Sequence, residues 1–133
     1  MARVILDASA LLAYLKDEPG AEAVEAGLAA GGLISAVNLA ETLSKLADAG
    51  LGALTAEELL ELNGVGTDAI VIADFTTQDA RAVGQLRPST RKQGLSLGER
   101  ACLALAMRTG LAILTADRLW LRLGLRLDIQ LIR

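Results

Sequence analysis

Short aliphatic runs alternate with longer amphipathic segments along this chain. The first run, Val4–Leu6, leads directly into a carboxylate, Asp7, and is too short to span a membrane. A run of this kind is typical of a buried parallel strand. Because the predicted strands and helices alternate, we expect an α/β fold, a three-layer α/β/α arrangement around a central, mostly parallel sheet of four to five strands. The predicted strands are residues 3–7, 33–35, 68–73, 111–115 and 127–132.

Apolar residues at helical spacing and turn-forming residues predict the helices between these strands. The second helix is expected to start at Asp17 or Glu18, with Pro19 in its first turn. A later helix is expected to open with a capping-box-like Thr55, and the next one to end before Pro88. The predicted helices are residues 8–16, 18–29, a third opening at 35, then 55–63, 77–86, 96–108 and 119–123.

The composition favours one domain with an aliphatic core. The chain has 133 residues, of which 53% are hydrophobic and only 2% aromatic, so we expect a single domain spanning residues 1–133. The one cysteine, Cys102, cannot form a disulfide within the chain and suits a reducing cytoplasm. Neither a membrane-spanning run nor a signal peptide is apparent, which predicts a cytoplasmic protein.

The net charge and the absence of histidine restrict the possible chemistry. At a net charge of −3 there is no global basic field to attract nucleic acid, so any such contact would depend on local cations. Without histidine, Ser-His-Asp and Cys-His catalysis, histidine zinc sites and imidazole bases are excluded. An enzyme working near neutral pH would therefore rely on carboxylates and a hard cation.

Four carboxylates are expected at the carboxyl edge of the sheet. Asp7 and Asp117 each follow an aliphatic strand, and parallel strands end at the same edge. Glu41 and Glu99 come from helices that start there. Each close pair of carboxylates costs about 4 kcal/mol at an effective dielectric constant of 20, so a divalent cation would relieve the repulsion. Oxygen ligands without histidine or cysteine favour Mg²⁺, with Mn²⁺ as a substitute.

Each of these acids also has a purely structural interpretation. The two aspartates can cap the helices that follow them. Glu41 can pair with Lys45, four residues later on the same helix. Glu99 can form a capping box with Ser96. The residues alone leave these alternatives open.

Four short segments share their pattern with a known family. They are LDASALL at residues 6–12, SAVNLAE at 35–41, LSLGERACLALA at 95–106 and LTADR at 114–118. With these segments the chain resembles the PIN domain, and within that family the VapC-type toxins of bacterial toxin–antitoxin pairs. Each segment is weak alone, but the order and spacing of the four are specific. The resemblance covers nearly the whole chain and implies a PIN-like fold.

The resemblance also implies an activity and partners. It implies a metal-dependent endoribonuclease that hydrolyses RNA internally, with Mg²⁺ as the cofactor. It implies a toxin that a cognate antitoxin holds inactive, and a homodimer. By position, the residues that would bind the metal and carry catalysis are Asp7, Glu41, Glu99 and Asp117.

Neighbouring residues complete the expected site. Ser9 resembles the hydroxyl that supports the first carboxylate, and Thr115 is expected to support the site as well. Asn38 lies one helical turn before Glu41 and would orient it. The polar loop predicted at residues 89–94 would contact phosphate, unless it is an ordinary solvated loop. The cations expected to bind RNA are Arg87, Arg91, Lys92, Arg100 and Arg118.

One position departs from the family, which usually has aspartate where this chain has Glu99. The longer side chain can move a bound ion by about a bond length, and a misplacement of that size can slow catalysis about a hundredfold. Two other hypotheses therefore stay open. One is a PIN-fold protein that binds RNA or a partner with impaired catalysis, and the other is a receiver-like signalling domain phosphorylated on aspartate.

Apolar residues of the first helix, and apolar residues between positions 43 and 60 that are expected to lie close to it, are candidates for a partner surface. They form either plain core or a groove for an amphipathic helix of the antitoxin, whose arginine could enter the acidic pocket. The residues are Leu11, Leu12, Tyr14, Leu15, Leu43, Leu46, Leu51, Leu54, Leu59 and Leu60.

Overall fold

A five-stranded sheet lies at the centre of the fold. The computed structural model describes residues 2–133, so Met1, the first residue of the predicted domain, lies outside it. All strand pairs are parallel, in the order β3-β2-β1-β4-β5, which confirms the predicted α/β fold. The strands are β1 (Val4–Leu6), β2 (Gly32–Ser35), β3 (Ile70–Ala73), β4 (Ala112–Thr115) and β5 (Ile129–Leu131).

Helices cover both faces of this sheet. Because side chains alternate along a strand, Val4 and Leu6 pack among the first four helices, while Ile5 packs on the opposite face against the last two. Single 3₁₀ turns occupy Leu28–Ala30 and Arg118–Arg122. None of the helices in residues 2–133 has the length and apolar character that crossing a membrane requires. The helices are α1 (Ala8–Lys16), α2 (Ala21–Gly27), α3 (Ala36–Asp48), α4 (Ala53–Leu62), α5 (Thr77–Thr90) and α6 (Leu97–Thr109).

The start of α2 differs from the prediction. Asp17 does not open this helix but ends α1, in a left-handed conformation with φ of 52°, which aspartate tolerates better than most residues. Gly20, with φ of 101°, then caps α2, so that the helix begins at Ala21. A turn of two left-handed residues therefore replaces the predicted helical start at Asp17 or Glu18.

Two further helix boundaries were also predicted wrongly. The helix α4 begins at Ala53 after an N-cap at Gly52, so Thr55 lies inside it. The helix α5 continues past Pro88 to Thr90. Proline has no N–H to donate to the carbonyl of Gly84, four residues earlier. Both residues are exposed, so water can bind that carbonyl and the helix tolerates the proline. Its extra turn takes up Arg87 and shortens the predicted polar loop.

The carboxyl ends of β1 and β4 are fixed side by side. Leu6 of β1 is in register with Leu114 of β4, and the backbone N–H of Asp7 donates to the Leu114 carbonyl at 3.3 Å. Residues that follow these two strands therefore meet at one edge, as the sequence predicted.

An ion pair between the exposed Arg108 and the buried Asp79 fastens α5 to α6 away from this edge. Arg108 donates to both carboxylate oxygens of Asp79, at 2.9 and 3.1 Å, and Asp79 also forms a capping box with Thr76. Burial alone would raise the pKa of Asp79, but the bonds from Arg108 and Thr76 outweigh it and hold that pKa below its usual value.

We predict that Arg108→Met lowers the free energy of unfolding at pH 7 by about 1–2 kcal/mol, since a partly exposed charge-assisted pair is lost. A carboxyl whose folded pKa is lowered stabilises the fold fully above its unfolded pKa, about 3.9. That stabilisation disappears as the pH falls through the folded pKa. Urea unfolding of both proteins between pH 7 and pH 3 should therefore show the difference narrowing below about pH 4. A difference that stays constant with pH would contradict the assignment.

Candidate active site

A cavity of about 250 Å³ lies at the carboxyl edge of the sheet. All four predicted acids line it, although they come from the end of β1, from α3, from α6 and from the turn after β4. The sequence prediction that these acids face one cleft is consistent with this placement. The residues that line the cavity are Asp7, Ala8, Ser9, Asn38, Glu41, Lys45, Glu99, Asp117 and Trp120.

Asp7 is buried, and both of its carboxylate oxygens accept hydrogen bonds. It caps α1 by accepting from the backbone N–H of Ala10 at 2.8 Å. The hydroxyl of Ser9 donates to its Oδ1 at 2.6 Å, and the hydroxyl of Thr115 donates to its Oδ2 at 2.5 Å. The side chain of Asp7 therefore both caps α1 and lines the cavity.

The two hydroxyls also connect Asp7 to the turn after β4. Ser9 Oγ accepts from the backbone N–H of Ala116 at 3.0 Å, and Thr115 Oγ1 accepts from that of Asp117 at 3.1 Å. Because a hydroxyl has a single proton to donate, these backbone donors direct both protons towards Asp7. The network thus favours an ionised carboxylate at this position.

The electrostatic environment of Asp7 contains opposing contributions. Burial raises the pKa of the Asp7 carboxyl, while its bonds from Ser9, Thr115 and Ala10 lower it. The charge of Glu99 raises it further, and the net result is a raised pKa. A cation in the cavity would act in the opposite direction.

Asn38 is hydrogen-bonded to Glu41, which lies one helical turn later on α3. Its Nδ2 donates to Glu41 Oε1 and to the carbonyl oxygen of Gly98, both at 2.9 Å, so one buried amide joins α3 to α6. Asn38 Oδ1 is buried and has no hydrogen-bond partner among residues 2–133. Within the same described range, Glu41 and Lys45 form no ion pair, so that structural alternative is not realised.

Gly98 is a contributor that sequence reasoning missed. A Cβ built on this residue would overlap the carboxylate of Glu41. Only a residue without a side chain leaves room for Glu41 at this point of α6. The available signal was a glycine in the first turn of a helix, a position where glycine costs stability and therefore often has a packing reason.

Glu99 forms the predicted capping box and still lines the cavity. Ser96 Oγ accepts from the backbone N–H of Glu99, and Glu99 Oε1 accepts from that of Ser96, both at 3.1 Å. The second oxygen, Oε2, accepts from the indole N–H of Trp120 at 3.1 Å. The capping box therefore uses one carboxylate oxygen, and a residue absent from the predicted site holds the other.

Asp117 is half-buried and also caps a helical turn. Its Oδ1 accepts from the backbone N–H of Leu119 at 2.9 Å, at the start of the 3₁₀ turn. Like Asp7, it therefore combines an N-cap with a place in the cavity wall.

The cations predicted to bind RNA lie outside this cavity. Arg100 points away from it, because its Nη1 donates to the carbonyl of Val83 on α5 at 3.1 Å. The basic residue that does line the cavity is Lys45, which the sequence had paired with Glu41. The exposed members of the predicted set are Arg87, Arg91, Lys92 and Arg118.

The family of the chain follows from its sequence. The sequence model of the PIN domain matches residues 4–124. The chain belongs to the PIN domain family. The predicted resemblance to this family is therefore confirmed, although no curated protein sequence matches the chain.

Solved structures support the same fold. VapC20 of Mycobacterium tuberculosis, a sarcin–ricin loop cleaving toxin, superposes with a TM-score of 0.75 at 14% identity, over 91% of this chain and 95% of that one. DNA-bound VapBC of Salmonella typhimurium gives 0.73 at 20% identity over the whole of both chains. A toxin–antitoxin complex of Klebsiella pneumoniae gives 0.65 at 17% identity over 86% of each chain.

The donor set of this PIN domain suits a hard divalent cation. The lining offers carboxylate oxygens from four acids, which are the ligand type that Mg²⁺ and Mn²⁺ accept. Burial and the charges of nearby acids raise the pKa of the Cys102 thiol well above its usual value, so no thiolate competes. In this conformation, no three acidic or thiol side chains of residues 2–133 are grouped closely enough to hold one ion.

We predict that Gly98→Ala weakens Mn²⁺ binding about 10–100-fold, because the new methyl group displaces the carboxylate of Glu41. The fold should persist, since the displaced atoms are the tip of a flexible side chain and alanine favours a helix over glycine. Calorimetric titration with Mn²⁺ measures the binding, and thermal unfolding checks the fold.

Gly84→Ala is the matched control for this experiment. Gly84 lies inside α5, and a Cβ added there meets no other atom within 4 Å. This variant should keep the Mn²⁺ affinity unchanged, and equal affinities in both alanine variants would contradict the role of Gly98.

Proposed function

We propose that this PIN domain, spanning residues 1–133, is a Mg²⁺-dependent endoribonuclease and acts as a toxin of the VapC type. The observation that supports the proposal best is the placement of four carboxylates from separate elements around one cavity. The M. tuberculosis neighbour, described as a cleaving toxin, makes RNA the substrate class to test first. In the proposed site, Asp7, Glu41, Glu99 and Asp117 would hold the metal.

The residues of the chain have separate tasks in this mechanism. A bound Mg²⁺ would supply Lewis-acid chemistry to the scissile phosphate and acidify a water molecule. Ser9 and Thr115 hold the Asp7 carboxylate in one orientation, and Asn38 holds Glu41. Groups fixed before substrate arrives cost no rearrangement during the reaction, which is the contribution of the protein to the rate.

A second function is favoured by one observation. Glu99 is held by Ser96 and Trp120, and no three acids in the described part of the chain are grouped around one point. A PIN-fold protein that binds RNA or a partner with impaired catalysis would show the same arrangement. The receiver-like alternative has no support from the family match.

Cleavage of a generic single-stranded RNA tests the proposed activity. We expect cleavage with Mg²⁺, none with EDTA, and at least about a hundredfold slower cleavage by Asp7→Asn. Asp48→Asn, an exposed acid at the end of α3, is the control and should cleave normally. Cleavage that persists in EDTA would refute the metal-dependent mechanism. Mg²⁺ binding without cleavage would favour the impaired alternative.

Cations of the chain are proposed to bind the phosphates of RNA. Besides the five predicted cations, Lys45 offers an exposed ammonium group within the cavity wall. We predict that Lys45→Gln in the Asp7→Asn background weakens binding of single-stranded RNA. Each lost phosphate contact should reduce the slope of log affinity against log salt by about 0.7.

Fluorescence anisotropy at several salt concentrations measures this slope. Lys16→Gln, an exposed lysine at the end of α1, is the matched control and should leave the slope unchanged. Identical slopes for both lysine variants would exclude Lys45 from phosphate binding.

We also propose a cognate antitoxin as partner, a homodimer and a cytoplasmic location. The neighbouring VapBC and toxin–antitoxin complexes support the antitoxin. Among the apolar residues predicted as candidates for a partner surface, five are core residues: Leu11, Leu12, Leu15, Leu46 and Leu60. The remaining residues could receive an amphipathic helix of the antitoxin, and light scattering of the protein with and without antitoxin tests the assembly. They are Tyr14, Leu43, Leu51 and Leu59, which are partly buried, and Leu54, which is exposed.

A further inference from the structure

Trp120 joins the 3₁₀ turn after β4 to the acidic cavity. Its side chain is only 1% exposed and packs in the apolar cluster formed by α5, α6 and one face of the sheet, which includes Leu103 and Leu123. The polar edge of the indole nevertheless reaches the cavity wall, where its N–H meets Glu99. It is the only tryptophan of the chain.

Two donors hold the carboxylate of Glu99 from different directions. The backbone N–H of Ser96 binds Oε1 and the indole N–H of Trp120 binds Oε2, each at 3.1 Å. An ionised carboxylate has about four acceptor positions, so these two bonds leave other positions free for a cation. The arrangement therefore fixes the group without saturating it.

The rigidity of the indole gives this contact its positioning role. Glutamate has one more rotatable bond than aspartate, so a free Glu99 would place its carboxylate over a wider range. A donor whose own ring is locked by packing removes that freedom before any ligand binds. A solvent-exposed lysine or serine in the same place would itself be mobile and would not restrict the carboxylate of Glu99.

We propose that Trp120 is a positioning residue, whose indole N–H fixes Glu99 at the wall of the acidic cavity in readiness for the cation. This role accounts for how the longer side chain of Glu99 is kept in one place at the cavity wall. The inference rests on the proposed metal site, but it is tested below without RNA cleavage.

The first test is Mn²⁺ binding to Trp120→Phe, measured by calorimetry. Phenylalanine keeps most of the apolar packing and removes the N–H, so we expect the dissociation constant to rise about 10–100-fold, as for other residues that orient metal ligands. Leu123→Ala is the matched control, because Leu123 packs in the same cluster and does not line the cavity. It should lower the unfolding temperature and keep the Mn²⁺ affinity.

A double-variant cycle separates positioning from packing. In Glu99→Asp the shorter side chain draws the carboxylate away from the indole, so adding Trp120→Phe should have little further effect on Mn²⁺ affinity. An equal loss of affinity in the wild-type and Glu99→Asp backgrounds would assign Trp120 to packing alone and overturn the proposal. An unchanged affinity in Trp120→Phe itself would also overturn it.

The fluorescence of the wild-type protein provides a measurement that does not depend on the folding of a Trp120 variant. Because Trp120 is the sole tryptophan, its emission reports on the bond to Glu99. We expect Mg²⁺ to change this emission in the wild type and not in Glu99→Ala, and the same response in both would refute the contact. These readouts decide on Trp120 even if the protein fails to cleave RNA, so the two proposals can fail separately.

Discussion

A buried carboxylate that must be satisfied by hydrogen bonds is the constraint on which this site depends. Asp7 is 6% exposed, and burying an ionised group is costly unless donors replace the lost water. Those donors are the hydroxyl of Ser9 and the backbone N–H of Ala10, both in α1, and the hydroxyl of Thr115 at the end of β4. The pairing of β1 with β4 therefore supplies one of the three donors that favour a charged Asp7, and a correctly paired sheet helps to orient this carboxylate.

Helix capping explains how a small fold can gather three of the four acids at one edge. Asp7, Glu99 and Asp117 each accept a backbone N–H at the start of a helix or 3₁₀ turn, where the partial positive charge of the helix end favours an anion. The structural interpretation of each residue is thus not an alternative to a functional one. The caps place the charges and offset part of their repulsion, while leaving acceptor positions turned towards the cavity.

The sequence predicted those parts of the structure that depend on local pattern. Aliphatic runs gave the strands and the shared edge for Asp7 and Asp117, and helical spacing related Asn38 to Glu41. The prediction failed where contacts with solvent or with distant residues determine the structure. The helix α5 continues past Pro88 because Pro88 and Gly84 are exposed to solvent. The contact between Glu99 and Trp120 joins residues 21 positions apart, and nothing in the local pattern of either residue reveals it.

The separation of the two glutamates is set by the packing of α6 and not by either glutamate alone. Gly98 leaves space for the carboxylate of Glu41, and the carbonyl of Gly98 accepts a hydrogen bond from Asn38. The next residue, Glu99, accepts a hydrogen bond from Trp120. A shift of this first turn would therefore move both acids together. Behind it, Cys102 and Leu103 are completely buried against the sheet, and a close-packed interior resists such shifts. The core of the domain thereby fixes distances in the cavity that no single motif encodes.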